Sequence, residues 1–130
     1  MIDTLEILKQ EEGFSGTVYV DTEGYDTIGY GTKMPLNKEE AELLLKNRFG
    51  KLKVEVDSKL KHLVIDEDAW QILYLMAYQI GVGGLLKFKN MIKALENQNY
   101  EVAGSEMLDS RWAKQTPARA KRMAAIMKEL

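Results

Sequence analysis

The chain has 130 residues, of which 45% are apolar and 29% are charged, a composition typical of one globular domain rather than a disordered protein. It contains no cysteine and one histidine, His62. These counts exclude disulfides, cysteine nucleophiles and the usual zinc sites. The net charge is −2, but residues 110–128 carry six bases and no acid. This basic stretch is either a surface for a polyanion or an ordinary solvated helix face.

The N-terminal region predicts neither a secretory signal nor a membrane anchor. Charged side chains at Asp3, Glu6 and Lys9 interrupt it, whereas a signal peptide needs an uncharged apolar stretch. No uncharged apolar run reaches the roughly 20 residues of a membrane helix. We therefore expect a chain made in the cytoplasm, without stable membrane insertion.

Residues 2–12 predict an amphipathic helix, with a capping box at its start and a glycine directly after its end. Leu5 and Leu8 share its apolar face. A helical wheel at roughly 100° per residue places Glu12 on that face and Glu11 well to one side. We therefore expect Glu12 to point towards buried surface, where desolvation and the negative helix end disfavour its ionised form.

Two short strands joined by a turn follow this helix. Residues 17–21 and 25–30 are rich in β-branched and aromatic side chains. The Thr-Glu-Gly segment between them predicts a hairpin turn in which Gly24 takes a positive φ. Asp21 lies where the first strand meets this turn.

The second strand combines a threonine with two glycines. Thr27 and Gly29 are two positions apart, so they share one face of the strand. Gly29 and Gly31 leave that edge without side chains, and a neighbouring group can therefore lie close to the backbone.

The rest of the chain predicts helices. A capping box of Asn37 and Glu40 opens a helix that continues or kinks at Gly50 and ends near Lys61. An apolar helix begins at Asp66 and is broken by the glycines of GVGG. Further helical segments are expected at about 85–96, 99–109 and 117–128. The sum is an α+β fold in one domain, 1–130, with a small lobe at about 13–36 and a helical lobe at about 60–130 that includes helix 2–12.

Two carboxylic acids and a threonine hydroxyl on these elements suit hydrolysis of a glycosidic bond. One acid protonates the leaving oxygen, while an ionised carboxylate stabilises the oxocarbenium-like transition state or activates water. The pattern alone is weakly specific, because any acidic hairpin after a helix matches it. Glu12 could equally be a solvated helix-end acid, and Asp21 a turn residue that caps backbone amides.

Two long motifs resemble the phage-type lysozymes, the muramidase family of T-even phage lysozyme. The first is EEG followed by YVDTEGYDTIGYG, and the second is SRWAKQTPARAKR, with YQIGVGG between them. The motifs occur in the family's order, and the resemblance covers nearly the whole chain. It implies a lysozyme-like fold and a cofactor-free, metal-free enzyme that hydrolyses the β-1,4 bond between N-acetylmuramic acid and N-acetylglucosamine in peptidoglycan.

The resemblance also implies a role for individual residues. Glu12 falls on the general acid, Asp21 on the second catalytic carboxylate, and Thr27 on the threonine that helps hold the attacking water. The family inverts at the anomeric carbon, so the second carboxylate acts as base or stabiliser rather than as nucleophile. The two glycines of IGYG support this site.

In the C-terminal half, Tyr78 and Gln79 match an aromatic–glutamine pair that contacts the sugar. Arg111 falls at the mouth of the substrate cleft, and Arg119 matches an arginine that approaches the catalytic glutamate. Trp112 is expected to be structural.

The chain also departs from the family pattern. Thr32 stands where relatives often have a histidine, and the short connection between Gly31 and Asn37 predicts a smaller sheet lobe. Met91 and Glu106 stand where some relatives contact sugar through small polar residues, so the resemblance assigns them no binding role.

The expected partner is peptidoglycan, bound with help from the basic stretch, by a monomer that does not bind nucleic acid. The implied setting is phage release, with the enzyme in the host cytoplasm until a membrane lesion, such as a holin, admits it to the cell wall. Two alternatives stay open. One is a non-catalytic wall-binding module of the same fold, and the other is a domain of a phage tail device.

Overall fold

The computed structural model describes all residues from 1 to 130 and contains seven helices and one small sheet. The elements are α1 Thr4–Glu12, β1 Ser15–Val20, β2 Asp26–Gly29, β3 Thr32–Lys33, α2 Lys38–Lys59, α3 Glu67–Leu86, α4 Lys89–Glu96, α5 Tyr100–Leu108, α6 Arg111–Gln115 and α7 Pro117–Lys128. This content confirms the predicted α+β, lysozyme-like fold. The chain divides into two compact units, Met1–Leu45 and Lys46–Leu130. The predicted lobe boundaries, which place helix 2–12 with the helical lobe, stay a prediction.

The first helix begins at the predicted cap. The Asp3 carboxylate accepts a hydrogen bond of 3.2 Å from the backbone N–H of Glu6. The reciprocal half of the capping box does not form, because the Glu6 carboxylate pairs with Lys9 at 3.3 Å. Gly13 ends the helix with φ 68°, a left-handed value that favours glycine.

The sheet is antiparallel in the order β1-β2-β3. The register pairs Ser15 with Gly29 and Tyr19 with Thr27, with an irregularity between these two pairs. The two-residue strand β3 was not predicted, since so short a strand has no periodicity to detect.

The expectation that Glu12 faces buried surface is wrong in this structure. Glu12 is exposed, and Leu5 and Leu8 on the same helix face are 71% and 49% exposed. A helical wheel identifies the apolar side of a helix but does not show whether another element covers it. Thr27, at 2% exposure, is the one buried residue of the N-terminal unit.

The capping box predicted at the start of the second helix is confirmed. The backbone N–H of Asn37 donates to the Glu40 carboxylate at 3.0 Å, and the backbone N–H of Glu40 donates to the Asn37 side chain at 2.8 Å. The helix continues through Gly50 to Lys59 without a kink.

The third helix begins after the predicted N-cap Asp66 and spans Glu67–Leu86. It is interrupted at Gly81, whose φ of 81° and ψ of 158° are not helical, so the predicted break at GVGG is confirmed. A helical segment continues from this break to Leu86, and the next helix begins at Lys89. The short helix α6, which starts after the N-cap Ser110, was not predicted.

The hydrophobic core lies entirely in the C-terminal unit. Twenty buried apolar residues form it, among them Leu73, Met76, Leu85, Met91 and Met107. By length and a mean hydropathy of 1.2, α3 alone could cross a membrane. Seven of its residues are instead buried in this core, which is typical of the central helix of a globular protein.

Candidate active site

Glu12 is the last residue of α1, and its side chain lies against Gly31. A Cβ atom placed on Gly31 would be 2.5 Å from Oε2 of Glu12 and 3.0 Å from its Cδ. The sequence predicted that a neighbouring group can lie close to the backbone at Gly29 and Gly31. This is confirmed at Gly31, where the neighbouring group is the Glu12 carboxyl. At Gly29, a Cβ would meet nothing within 4 Å, so that position is open.

Asp21 is held in the hairpin turn by two backbone amides. Its Oδ1 accepts from the N–H of Glu23 at 2.9 Å and from the N–H of Tyr25 at 2.8 Å. The turn itself closes through the N–H of Asp21 and the carbonyl of Tyr25 at 2.9 Å, with Gly24 at φ 87°. Because both amides use Oδ1, the carboxyl group has a fixed orientation and Oδ2 takes no part in the turn.

Thr27 lies on β2 with its side chain buried. Its hydroxyl donates to the carbonyl of Tyr25 at 2.9 Å. A hydroxyl has one hydrogen and two lone pairs, so Oγ1 still has the capacity to accept a hydrogen bond. The geometry therefore allows this oxygen to orient a water molecule by accepting one of its hydrogens.

Gln79 in the C-terminal unit is tied to Trp112. Its Oε1 accepts from the indole N–H at 2.9 Å, and the indole packs edge-on against Phe88. Trp112 is 4% exposed, which confirms the structural role expected for it. The amide carbonyl of Gln79 is thus engaged, and its NH₂ group is the part left to contact a ligand. The neighbouring Tyr78 is 46% exposed.

A pocket of about 390 Å³ lies beside Arg111 in the C-terminal unit. Charged residues of both signs line it, and these are Lys87, Lys89, Glu106, Asp109 and Arg111. Met91 and Glu106, to which the sequence assigned no role, also border this pocket. Sequence spacing could not reveal it, because the lining comes from four different helices.

The predicted site residues are divided between the two units. Glu12, Asp21, Thr27 and the two glycines belong to the N-terminal unit, whereas Arg119 and the three residues predicted to contact substrate belong to the C-terminal unit. Arg119 is exposed on α7. Its predicted approach to Glu12 stays a prediction.

The model of a family described as phage lysozyme matches residues 9–128. The chain belongs to the phage lysozyme family. It is therefore a glycoside hydrolase of the muramidase type, an enzyme class that hydrolyses peptidoglycan, and the resemblance seen in its motifs is confirmed.

Individual relatives differ in length and source. The chain is 28% identical to probable T4-type lysozyme 1 of Dictyostelium discoideum, covering 94% of this chain and 91% of that protein. It is 29% identical to probable T4-type lysozyme 2 of the same organism, with 97% and 94% covered. It is 31% identical to the pre-baseplate central spike protein Gp5 of Enterobacteria phage T4, over 94% of this chain but only 27% of the spike protein. The alignment with Gp5 spans 154 positions, so that relative has residues that this 130-residue chain lacks.

Proposed function

We propose that this phage lysozyme relative cleaves the β-1,4 bond between N-acetylmuramic acid and N-acetylglucosamine with inversion at the anomeric carbon. Glu12 is the general acid, Asp21 is the base or stabiliser, and Thr27 orients the attacking water. The observation that carries this assignment is the arrangement of the N-terminal unit. Its sheet holds Asp21 at one hairpin turn and Gly31 at the next, and the Glu12 carboxyl lies on Gly31.

The proposed reaction has one displacement step. Glu12 gives its proton to the glycosidic oxygen as the bond from that oxygen to the anomeric carbon breaks. Water attacks the opposite face of the same carbon, and its proton passes to Asp21. The Oδ2 atom of Asp21 is the one suited to this task, because the turn amides use Oδ1. The accepting oxygen of Thr27 orients the water.

We assign sugar contacts to Tyr78, Gln79 and Arg111. An exposed aromatic ring offers a stacking surface, and the amide NH₂ of Gln79 and the guanidinium of Arg111 are donors for sugar or carboxylate oxygens. Peptidoglycan carries acidic groups, so the bases of residues 110–128 favour its binding. Arg119 belongs to this basic set and is proposed to act beside the general acid.

The first experiment measures clearance of outer-membrane-stripped Gram-negative cells by the wild type, by Glu12→Gln and by Glu11→Gln. Both variants replace one of two adjacent exposed glutamates by its isosteric amide, so they are matched in charge and size. We expect Glu12→Gln to lose at least about 100-fold of the rate, as loss of a general acid does, and Glu11→Gln to stay near wild type. Mass analysis should find reducing-end N-acetylmuramic acid in the soluble products.

The opposite results are equally informative. Full clearance by Glu12→Gln would contradict the proposal that the Glu12 carboxyl is the general acid. A folded wild type that binds walls but releases no fragments would favour the non-catalytic binding module. Products with anhydro-muramic ends would show that the bond is right and that water is not the nucleophile.

For the biological setting we propose phage release, with the enzyme held in the host cytoplasm until a membrane lesion lets it reach the wall. The similarity to a baseplate spike protein favours a second candidate, a lysozyme domain of a tail device that perforates the wall. Mass spectrometry of purified phage particles separates the two. Peptides of this chain in the particle support the tail device, whereas peptides found only in the lysate support release.

A further inference from the structure

Gly31 is the one glycine of the chain at which an added Cβ would meet a carboxyl group. A Cβ on Gly31 would approach three atoms of Glu12, namely Oε2 at 2.5 Å, Cδ at 3.0 Å and Cγ at 3.2 Å. All three distances are shorter than ordinary van der Waals contact, which begins near 3.4 Å. Any residue with a Cβ at this position therefore requires the Glu12 side chain to move.

Contacts between β1 and β2 hold the backbone segments that lead to Gly13 and to Gly31. The register pairs Ser15 of β1 with Gly29 of β2. One residue further out, the rings of Phe14 and Tyr30 are in contact, with centroids 5.5 Å apart. The next residues outward are Gly13, which ends α1, and Gly31. The sheet thus sets the distance between the end of α1 and the turn after β2, and the Glu12 backbone cannot easily withdraw.

We infer that Gly31 is a positioning residue for Glu12, because its missing side chain leaves the space that the acid's carboxyl group occupies. This inference rests on the proposed function of Glu12 as general acid and deepens it. The atoms that overlap a Cβ belong to the far end of a flexible side chain. A substitution is therefore accommodated by rotation of Glu12, which displaces the acid and leaves the fold in place.

The test compares Gly31→Ala with Gly81→Ala. Gly31 has φ 74° and Gly81 has φ 81°, so both positions lie in the positive-φ region that disfavours alanine, but a Cβ at Gly81 meets nothing within 4 Å. We expect Gly31→Ala to lower kcat roughly 10- to 100-fold with KM within about twofold, because a displaced acid affects the chemical step. Gly81→Ala should also lose thermal stability but keep the wild-type kcat.

A second readout follows the Glu12 carboxyl directly. In protein labelled with ¹³C-glutamate, the Glu12 carboxyl resonance is the one that disappears in Glu12→Gln. We expect it to shift in Gly31→Ala and to stay in place in Gly81→Ala. If Gly31→Ala folds poorly, Gly31→Asn adds the same Cβ with a side chain that tolerates positive φ better.

The two readouts distinguish failure of the inference from failure of the proposed function. An unmoved Glu12 resonance in a folded Gly31 variant overturns the inference, whatever the activity. Where Glu12→Gln is inactive, a kcat of Gly31→Ala equal to that of Gly81→Ala overturns it as well. Activity retained by Glu12→Gln overturns the role of Glu12 as acid, while a shifted resonance in Gly31→Ala would still show that Gly31 sets the position of that side chain.

Discussion

Asp21 has two separable tasks at the scale of a single residue. Its Oδ1 accepts two backbone amides and so builds the hairpin turn, while its charge is what the proposed chemistry needs. Asparagine keeps an oxygen at the Oδ1 position and removes the charge. We expect Asp21→Asn to lose about 100-fold or more in activity, with a melting temperature within a few degrees of wild type.

Asp21→Ala is the control for the turn. It removes both the charge and the two hydrogen bonds, and we expect it to be inactive and also less stable by about 1–2 kcal/mol. Circular dichroism melts of the two variants beside the clearance assay provide the comparison. If Asp21→Asn were as active as wild type, Asp21 would be only a turn residue, the alternative that the sequence left open.

At the scale of elements, the packing of α5 against α7 depends on one small residue. A Cβ on Gly104 would be 2.5 Å from Cγ of Lys128 and 3.0 Å from the carbonyl oxygen of Ala124. The lysine stem can move aside, but the carbonyl belongs to the backbone of α7. We expect Gly104→Ala to destabilise the protein by about 1–3 kcal/mol, measured by urea unfolding.

Gly50 provides the matched control for this substitution. It is also a helical glycine, but a Cβ there meets nothing within 4 Å. Alanine is favoured over glycine in helices, so Gly50→Ala should stabilise the protein by roughly 0.5–1 kcal/mol. The two changes are chemically identical and differ only in what the new methyl group meets. Equal effects would show that helix propensity alone decides both.

The C-terminal half of α2 is joined to α3 by a polar contact. The hydroxyl of buried Tyr74 donates a hydrogen bond to Asp57, which also pairs with Lys53 at 3.1 Å. The hydrogen bond from Tyr74, aided by Lys53, holds the pKa of Asp57 below its usual 3.8. Burial and the contact with Asp57 raise the pKa of Tyr74.

The Tyr74–Asp57 contact makes stability depend on pH in acid. The pKa of Asp57 is lower in the folded state than its value near 3.8 in the unfolded chain. This difference stabilises the fold at pH values above the unfolded pKa, and the stabilisation is lost as pH falls through the folded pKa. Tyr74→Phe should lower the free energy of unfolding by about 1–2 kcal/mol at pH 7, because it removes one hydrogen bond to Asp57. The ion pair between Asp57 and Lys53 remains in this variant. Between pH 5 and pH 2, urea unfolding should show a smaller loss of stability for Tyr74→Phe than for the wild type. Parallel pH profiles would contradict the assigned cause.

Local signals in the sequence predicted the elements well, and contacts between distant residues were the part they could not predict. The reciprocal cap of Asn37 and Glu40 involves residues three apart, so its chemistry is visible in the sequence. The bond between Gln79 and Trp112 joins residues 33 apart, and nothing local marks it. Glu12 shows the same division. Helical geometry was enough to favour it over Glu11, but its exposure and its contact with Gly31 depend on how the elements pack, which the sequence did not show.

At the scale of the whole molecule, burial is distributed very unevenly. All twenty core residues lie between 46 and 130, whereas Thr27 alone is buried among residues 1–45. Few buried apolar contacts mean a low free energy of local opening. The N-terminal unit holds the three proposed catalytic residues, so the site belongs to the less stable part of the chain.

This distribution predicts two steps on heating. Native-state hydrogen exchange should give opening free energies for β1 and β2 that are several kcal/mol below those of α3 and α7. Because the proposed acid and base lie in the unit that opens first, activity should disappear at a lower temperature than the helical circular dichroism signal, which comes mostly from the C-terminal unit. Equal protection in both units, with activity and helix content lost together, would show that the chain unfolds as one cooperative body.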